Sequence, residues 1–513
     1  MGSAKRHVGR KAWLAPGAVS NMSFFGGQGG TDLGKRKRNS LAIFFIMVFL
    51  TGCGLKGEEN AVKEAAQESS TQNPAQSSAG EEAESDSGEA GAEPSPAQEK
   101  PEAVPNISVN RLGYITKGDK AAIFYGKDLP QEFHVVRAES GEVVFAGYLR
   151  DNGYNETGQE YNGYGDFSEV QESGTYYIEA PLLGKSHPFR IGDDLYQKVL
   201  EEVCKGSVPW QQGEEADSFP EKAGDLALLL LAYELNSGVF MDDTGISESG
   251  NKVPDLLDEI RQEAEGMLKM QDPETGAVNR EDDGEEAWEE AFAAVLAKFS
   301  YLYQSYDTDF ATECLKAADR AWMCAASRTE QKAKSGQEDG WKLAAAAELY
   351  RASGKQSFYD NISAYFEDNG ILDDMNLPVL LGCVTYISTR QPVDIALCRE
   401  ITRALTDRAD EAAESTQEVL RESRKDESGG NFREILENSI YLIVINHMIT
   451  SREYEVAIED ILHCLMGRNR QSINYYEQSG RGLEAAGQLE GGRLVLLLSE
   501  ILNWQKEHED VSK

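Results

Sequence analysis

Cys53 is the residue whose neighbours point most directly to a chemical reaction. A basic run at residues 35–38 precedes an apolar run at 41–50, and the tetrapeptide Leu-Thr-Gly-Cys ends at Cys53. A basic start, a short apolar core and small residues before a cleavage point form an export signal, and this run is too short to span a bilayer as a stable helix. The tetrapeptide looks like a bacterial lipobox. We therefore expect lipid on the Cys53 thiol and an exported protein anchored in the bacterial cell membrane, facing outside. The alternative is a signal peptide followed by an ordinary cysteine.

The other six cysteines have no spacing typical of a zinc site. No Cys-x-x-Cys and no histidine–cysteine cluster occurs in the sequence. Two of the six fall on one predicted helix and cannot easily meet across it. We therefore expect buried free thiols, no metal and no cofactor. The six are Cys204, Cys314, Cys324, Cys383, Cys398 and Cys464.

The composition argues against nucleic acid as a partner. The formal net charge is −38, whereas phosphates need a basic surface. Residues 54–104 are rich in Ser, Glu, Ala, Gln and Pro and contain no aromatic residue. Such a segment cannot bury enough apolar surface to offset the entropy of ordering it. We interpret residues 1–53 as the signal segment with its lipobox and 54–104 as a disordered acidic linker that holds the folded part away from the membrane.

Two folded domains are predicted behind the linker. Residues 105–193 alternate in short apolar runs separated by turns that contain Gly and Asp. Five or more short strands over ~90 residues predict a β-sandwich. The expected strands are 121–125, 133–137, 143–147, 175–180 and 188–191.

The hydrophobic period becomes helical from residue 194 and stays so to 508. About twelve helices with short joints are what an (α/α)6 barrel needs, although a helical solenoid would give a similar pattern. The expected helices are 196–204, 223–235, 254–270, 287–304, 310–326, 341–352, 358–366, 378–388, 393–407, 435–450, 454–466 and 493–504.

Particular strings decide between these arrangements. Residues 246–272 read ISESGNKVPDLLDEIRQEAEGMLKMQD, an amphipathic helix with Pro254 just inside its start. Further strings are LLLLAYEL (228–235), AFAAVLA (291–297), CLKAADRAW (314–322), AAAAELYR (344–351) and LMGRN (465–469). In this order they resemble the helices of glycoside hydrolase family nine, the cellulase family. The predicted sandwich resembles the immunoglobulin-like module that precedes many of the family's catalytic domains. The strings that carry this resemblance are VNRLGYITKGDKAAI (109–123) and SGTYY (173–177). The resemblance implies a mainly α chain, an (α/α)6 barrel preceded by a small immunoglobulin-like β-sandwich.

The catalytic residues come to this chain only through the resemblance. Family-nine enzymes cleave β-1,4-glucan with inversion, which needs a carboxylate base and a carboxylic acid ~6.5–9.5 Å apart. The family's base lies in a D-A-G-D string that this sequence lacks. At the family's spacing before Glu234 stands Gln-Gln-Gly-Glu, ending at Glu214. The resemblance implies Glu214 as the base, with Gln211 replacing the water-positioning aspartate. The alternative is that Glu214 is a solvated loop acid. Asp225 resembles the end of the motif but falls inside a predicted helix.

Glu484 is the candidate acid, in Gly-Leu-Glu-Ala-Ala where the family has N-E-V-A. The family's substrate-binding loop, with paired histidines and an arginine, corresponds to residues 470–482, which contain no histidine. Aromatic rings suit the apolar faces of sugars, and polar groups suit their hydroxyls. Surface or packing roles are the alternative. The candidates for sugar contact are Trp210, Tyr475, Tyr476 and Arg481.

Three functions remain compatible with these residues. The first is inverting hydrolysis of a β-glucan, expected to be weak or absent because the motifs are altered. The second is a non-catalytic lipoprotein that binds a polysaccharide or oligosaccharide, and the third is a structural envelope lipoprotein. The acids Asp242, Asp243 and Glu248 could bind Ca²⁺, but turn and cap roles are commoner for such residues.

Overall fold

A computed structural model describes residues 104–156, 158–206, 219–279, 287–328, 336–371, 375–421, 430–476 and 491–511. Cys53, the linker, Trp210, Glu214, Arg481 and Glu484 lie outside the described residues. Within these ranges, no helix combines the length and the apolarity needed to cross a membrane.

The first described domain is a sandwich of two antiparallel sheets. One sheet has the strand order β1-β2-β6-β5, and the other has the order β4-β3-β7-β8, with β9 pairing β7. Its core is rich in aromatic rings, among them Phe124 and Phe133, whose centroids lie 5.3 Å apart. The strands are β1 (Ile107–Ser108), β2 (Ala121–Gly126), β3 (Glu132–Arg137), β4 (Val143–Tyr148), β5 (Arg150–Asn155), β6 (Glu160–Asp166), β7 (Gly174–Ala180), β8 (Gly184–Lys185) and β9 (Phe189–Ile191).

Twelve α-helices follow in the described parts of the chain. They are α1 (Leu195–Gly206), α2 (Phe219–Asn236), α3 (Asp255–Met270), α4 (Trp288–Tyr303), α5 (Thr308–Arg328), α6 (Gly336–Ser353), α7 (Gln356–Asn369), α8 (Leu377–Ser388), α9 (Ile395–Arg421), α10 (Gly430–Met448), α11 (Arg452–Leu465) and α12 (Gly491–Val511).

The helices alternate between an inner and an outer layer. The even-numbered helices pack on one another in the order α10-α12-α2-α4-α6-α8. The Tyr441 hydroxyl of α10 donates to the Met375 carbonyl, just before α8, at 2.9 Å, and this bond joins the two ends of the series. The odd-numbered helices lie outside, with α5 on α4, α7 on α6 and α9 on α10. This arrangement is the predicted (α/α)6 barrel.

The inner helices all run in the same direction. Phe219, the first residue of α2, stacks on Trp288, the first of α4, with centroids 5.1 Å apart. Towards the other ends, Glu234 of α2 contacts Lys298 of α4. We call the end formed by the first turns of the inner helices the barrel mouth and the opposite end the barrel floor.

Most of the predicted helix bounds differ from the observed ones by a few residues, and two of the differences have a local physical reason. Pro254 is the N-cap residue before α3 and not its first residue, so the helix begins at Asp255, one position later than predicted. Helix α9 continues to Arg421 instead of ending at 407. The continuation has no large apolar stripe, but Ala409, Ala412 and Ala413 are buried at helical spacing, and alanine and glutamate favour helix.

Candidate functional site

The barrel mouth brings α2 and α12 into close contact. A Cβ placed on Gly492, in the first turn of α12, would lie 2.7 Å from the Asp225 carbonyl oxygen of α2, so a side chain there would force the helices apart. Glu214 precedes Phe219 by five residues and Glu484 precedes Gly491 by seven. The two candidate catalytic residues therefore belong to the segments that lead into two neighbouring helices at this end of the barrel.

A buried arginine joins three inner helices just inside the mouth. Arg493 Nη1 of α12 lies 4.0 Å from Asp225 Oδ1 of α2, and Nη2 lies 3.5 Å from Glu437 Oε1 of α10. The arginine side chain is 8% exposed, whereas those of Asp225 and Glu437 are 24% and 46% exposed. Carboxylate oxygens accept hydrogen bonds, which is the contact that sugar hydroxyls offer. The solvent-accessible acids are thus available to a ligand, while the arginine holds them in place.

Sequence reasoning missed Arg493 and Glu437. It placed Asp225 correctly inside a helix, and the helix turns this side chain towards Arg493. The arginine follows Gly-Gly at the start of an otherwise apolar helix, LVLLL, and a lone cation at that position was the available signal. Glu437 carried no signal, because nothing in its own helix distinguishes it from a solvated acid.

Tyr475 and Tyr476, the two candidate tyrosines, are the last described residues before α12. The Tyr475 side chain is buried, with 7% of the residue exposed, so its ring has little face to offer a sugar and the packing alternative fits it better. The Tyr476 hydroxyl donates to the Glu202 carboxylate of α1. Burial, followed by this hydrogen bond to a carboxylate, raises the pKa of Tyr476 above its ordinary value. Tyr476 is half-buried, and its sugar contact stays a prediction.

The β-sandwich holds the same segment from its other side. Ser108 Oγ of β1 donates to the Asn469 carbonyl at 2.6 Å, and the Arg111 amide donates to the Met466 carbonyl at 2.7 Å. Arg470 Nε donates to Glu160 Oε1 of β6 at 2.7 Å. Residues 466–476 are therefore fixed by main-chain and ionic contacts before the chain continues towards Arg481 and Glu484. These contacts pack the sandwich against the helical domain.

Acidic residues of the 240–255 loop stabilise its turns. Asp242 accepts hydrogen bonds from the Gly250 and Lys252 amides, both at 2.6 Å. Asp255 Oδ2 accepts from the Thr244 amide and from two hydroxyl groups. Among the residues that the structure describes, no group of three or more His, Cys, Asp or Glu side chains is arranged to hold a metal ion. The six cysteines behind the linker are free and buried, as predicted.

Comparison with known proteins gives two family matches. Residues 102–185 match the cellulase N-terminal ig-like domain, and residues 270–482 match glycosyl hydrolase family 9. Glu214 and Glu484 both lie outside the second range. Endoglucanase D of Acetivibrio thermocellus is 24% identical over 456 residues, covering 72% of each chain.

Solved structures share the fold. A metagenome-derived glycoside hydrolase family 9 endoglucanase superimposes with a TM-score of 0.64 at 18% identity, covering 77% of this chain and 98% of that chain. AaCel9A, determined in complex with cellobiose-like isofagomine, gives a TM-score of 0.60 at 17% identity, covering 77% of this chain and 99% of that one.

Proposed function

Because the chain belongs to glycosyl hydrolase family 9 and carries the cellulase N-terminal ig-like domain, we propose that it acts on a β-1,4-linked glucan at the barrel mouth. One relative is named as an endoglucanase, Endoglucanase D, and AaCel9A, a protein of the same fold, has been determined in complex with a cellobiose-like ligand. The product is a shortened glucan with inverted configuration at the new reducing end.

The close contact between the starts of α2 and α12 is the observation that supports this site. Extended chain reaches at most ~18 Å over the five residues between Glu214 and Phe219, and at most ~25 Å over the seven between Glu484 and Gly491, so both glutamates are tethered to this end of the barrel. An inverting pair needs carboxyl groups ~6.5–9.5 Å apart, with room for one water between base and sugar. Glu214 takes a proton from this water as the water attacks the anomeric carbon. The glycosidic C–O bond breaks, and Glu484 donates its proton to the leaving oxygen.

Weak turnover is part of the proposal. Glu214 is longer by one methylene than the aspartate of the family's motif, and Gln211 has no charge with which to orient the water. A displacement of about 1 Å at a catalytic group can reduce the rate about 10²-fold. The second candidate function, glycan binding without hydrolysis, is favoured by the same substitutions and by the absence of histidine from residues 470–482. Trp210, Tyr476 and Arg481 are then the residues that contact the sugar.

Turnover and product configuration test the proposal together. Incubation with cellohexaose, followed by NMR of the fresh products, is expected to show slow release of α-anomeric sugars. Glu214→Gln and Glu484→Gln should each reduce the rate by ~10²-fold or more, because each carboxyl group performs a different half of the reaction.

Glu215→Gln is the matched control, since it removes a neighbouring acid in the same segment and should leave the rate unchanged. Wild-type rates in both glutamine variants would refute the assigned pair. Absence of turnover, combined with oligosaccharide affinity that falls in Trp210→Ala, would select the binding function. Absence of both turnover and affinity would select a purely structural lipoprotein.

A further inference from the structure

Two tyrosines are exposed side by side on the β-sandwich. Tyr154 of β5 and Tyr161 of β6 are direct register partners in the β5–β6 hairpin. They are 51% and 41% exposed, whereas Tyr114 and Tyr176 of the same domain are fully buried. Register partners project from the same face of a sheet, and these two rings lie 5.1 Å apart at 68°. The two rings are arranged edge to face and form one exposed aromatic surface.

The opposite face of the hairpin is fixed to the helical domain. Glu160 neighbours Tyr161 and therefore projects to the other side of the strand. Its two carboxylate oxygens accept from Arg470 Nε at 2.7 Å and Nη2 at 3.2 Å. The same guanidinium lies over the Tyr125 ring, 4.8 Å from its centroid. A two-point ion pair of this kind gives orientation as well as attraction, so the hairpin presents Tyr154 and Tyr161 on a rigid support.

A hydrogen bond also holds the described residues on either side of the hairpin turn. Asn155 is 8% exposed, and its Oδ1 accepts from the Gly158 amide at 2.9 Å. The strand reaches this turn through a bulge between Asp151 and Gly153, and the Gly153 φ of +95° suits glycine. Bulges re-aim side chains, and here the bulge lies directly before Tyr154. Exposed aromatic rings on a rigid support are typical of a recognition surface.

We propose that Tyr154 and Tyr161 form an accessory glycan-binding site that holds an uncharged β-linked glucan chain outside the barrel mouth. The assignment of a glucan rests on the proposed function, while the site itself rests on the exposed pair. The face of a β-linked glucose ring carries axial C–H groups that pack on an aromatic ring. The net charge of −38 disfavours an anionic polymer.

The location connects this surface with the proposed catalytic segment. Arg470 belongs to residues 466–476, which continue in sequence to Arg481 and Glu484. The contact between Arg470 and Glu160 therefore places the exposed tyrosine pair on the part of the sandwich that supports this segment. A glucan held by the exposed tyrosine pair is kept at high local concentration beside the barrel mouth. The two sites therefore bind one polymer with higher affinity than either does alone.

Affinity gel electrophoresis of the full chain in hydroxyethylcellulose, an uncharged soluble glucan, tests the site. Tyr154→Ala and Tyr161→Ala should each weaken retardation by about tenfold, the factor expected when roughly 50 Å² of ring surface is no longer covered. Tyr154→Phe and Tyr161→Phe keep the rings and should bind as wild type. Carboxymethylcellulose, which is anionic, should retard the wild type less.

Tyr148→Ala is the matched control, because Tyr148 is 75% exposed on the same domain but lies in the other sheet. It should bind as wild type, and the melting temperature of every variant should be unchanged. Equal retardation of Tyr154→Ala, Tyr161→Ala and wild type would overturn the site, as would absence of wild-type retardation or an equal loss in Tyr148→Ala. Cellohexaose turnover is a separate readout, so failure of the proposed catalysis leaves this result interpretable.

Discussion

Lys298 Nζ lies 2.6 Å from Glu234 Oε2 at the barrel floor, where the two side chains are only 4% and 6% exposed. Burial by itself would raise the pKa of Glu234, but the charges of Lys298 and Arg351 outweigh it and hold this pKa below its usual value. Glu348 completes the cluster, accepting from Lys298 at 3.4 Å and from the Tyr301 hydroxyl at 2.8 Å. Two carboxylates thus face two cations across α2, α4 and α6, so the charges within this cluster balance.

Lys298→Met is expected to destabilise the protein by about 3–5 kcal/mol, because it leaves two buried carboxylates facing one remaining cation. Urea unfolding followed by circular dichroism measures the change. The double variant Lys298→Met/Glu348→Gln restores neutrality and should lose less stability than the single variant. A double variant less stable than Lys298→Met would show that charge balance does not explain the cluster.

The contact between the two domains contains a histidine that stays neutral. His463 of α11 is buried, and its Nδ1 lies 2.9 Å from Asn110 Nδ2 of the sandwich. Burial, followed by the charges of Arg468 and Lys120, lowers the pKa of His463 well below 6.5. The unfolded chain therefore binds a proton near pH 6.5 that the folded chain does not. This histidine makes the folded protein progressively less stable as the pH falls below about 6.5.

We expect His463→Gln to lose less stability than the wild type between pH 7 and pH 5. Glu459 acts in the opposite direction, because burial raises its pKa to about 7 and acid relieves the cost of its charge. The informative quantity is therefore the difference between variant and wild type at each pH, measured by thermal melting. Parallel stability curves for the two proteins would contradict the assignment to His463.

Much of the fold could be predicted from sequence because burial and periodicity coincide. In α3, the apolar positions Leu256, Leu257, Ile260, Ala264 and Met267 recur at helical spacing, and all are buried. The period fails where both faces of an element are exposed or where its residues are small or polar. Strand β5 is exposed at all but its last residue, and β6 reads Glu-Tyr-Asn-Gly-Tyr-Gly-Asp, so neither shows the alternation of apolar and polar residues that predicts a strand.

The described part of the site could be predicted less well, since it depends on contacts distant in sequence. Asp225, Glu437 and Arg493 come from three helices, and only the barrel brings them together. Tyr475 has a residue type that suits sugar contact, but its burial is decided by tertiary packing. Pairing of Tyr154 with Tyr161 depends on hairpin register, which a turn without a strong sequence signature does not specify.

The boundary between linker and sandwich can be located by truncation. Removal of residues 1–104 should leave a soluble protein that melts cooperatively, because β1 begins at Ile107 and the predicted linker has too little apolar surface to form a core. Removal of residues 1–108 should lower the melting temperature by several degrees. It deletes Ile107, which is fully buried, and Ser108, which donates to the Asn469 carbonyl. Equal melting temperatures for the two truncations would show that β1 contributes nothing.

Lipid attachment at Cys53 is the prediction that decides where the protein acts. In a bacterial host, the wild-type protein should incorporate labelled palmitate and sediment with membranes, because the basic run, the apolar run and Leu-Thr-Gly-Cys are in register. Cys53→Ala should lose both properties and be found uncleaved or released, since the thiol is the acceptor of the lipid.

Cys204→Ala serves as the control, because Cys204 is buried in the helical domain, and it should label as wild type. If Cys53→Ala is processed and retained like the wild type, the anchor lies elsewhere. A confirmed anchor would place the barrel mouth outside the cell on an acidic linker, within reach of extracellular polysaccharide.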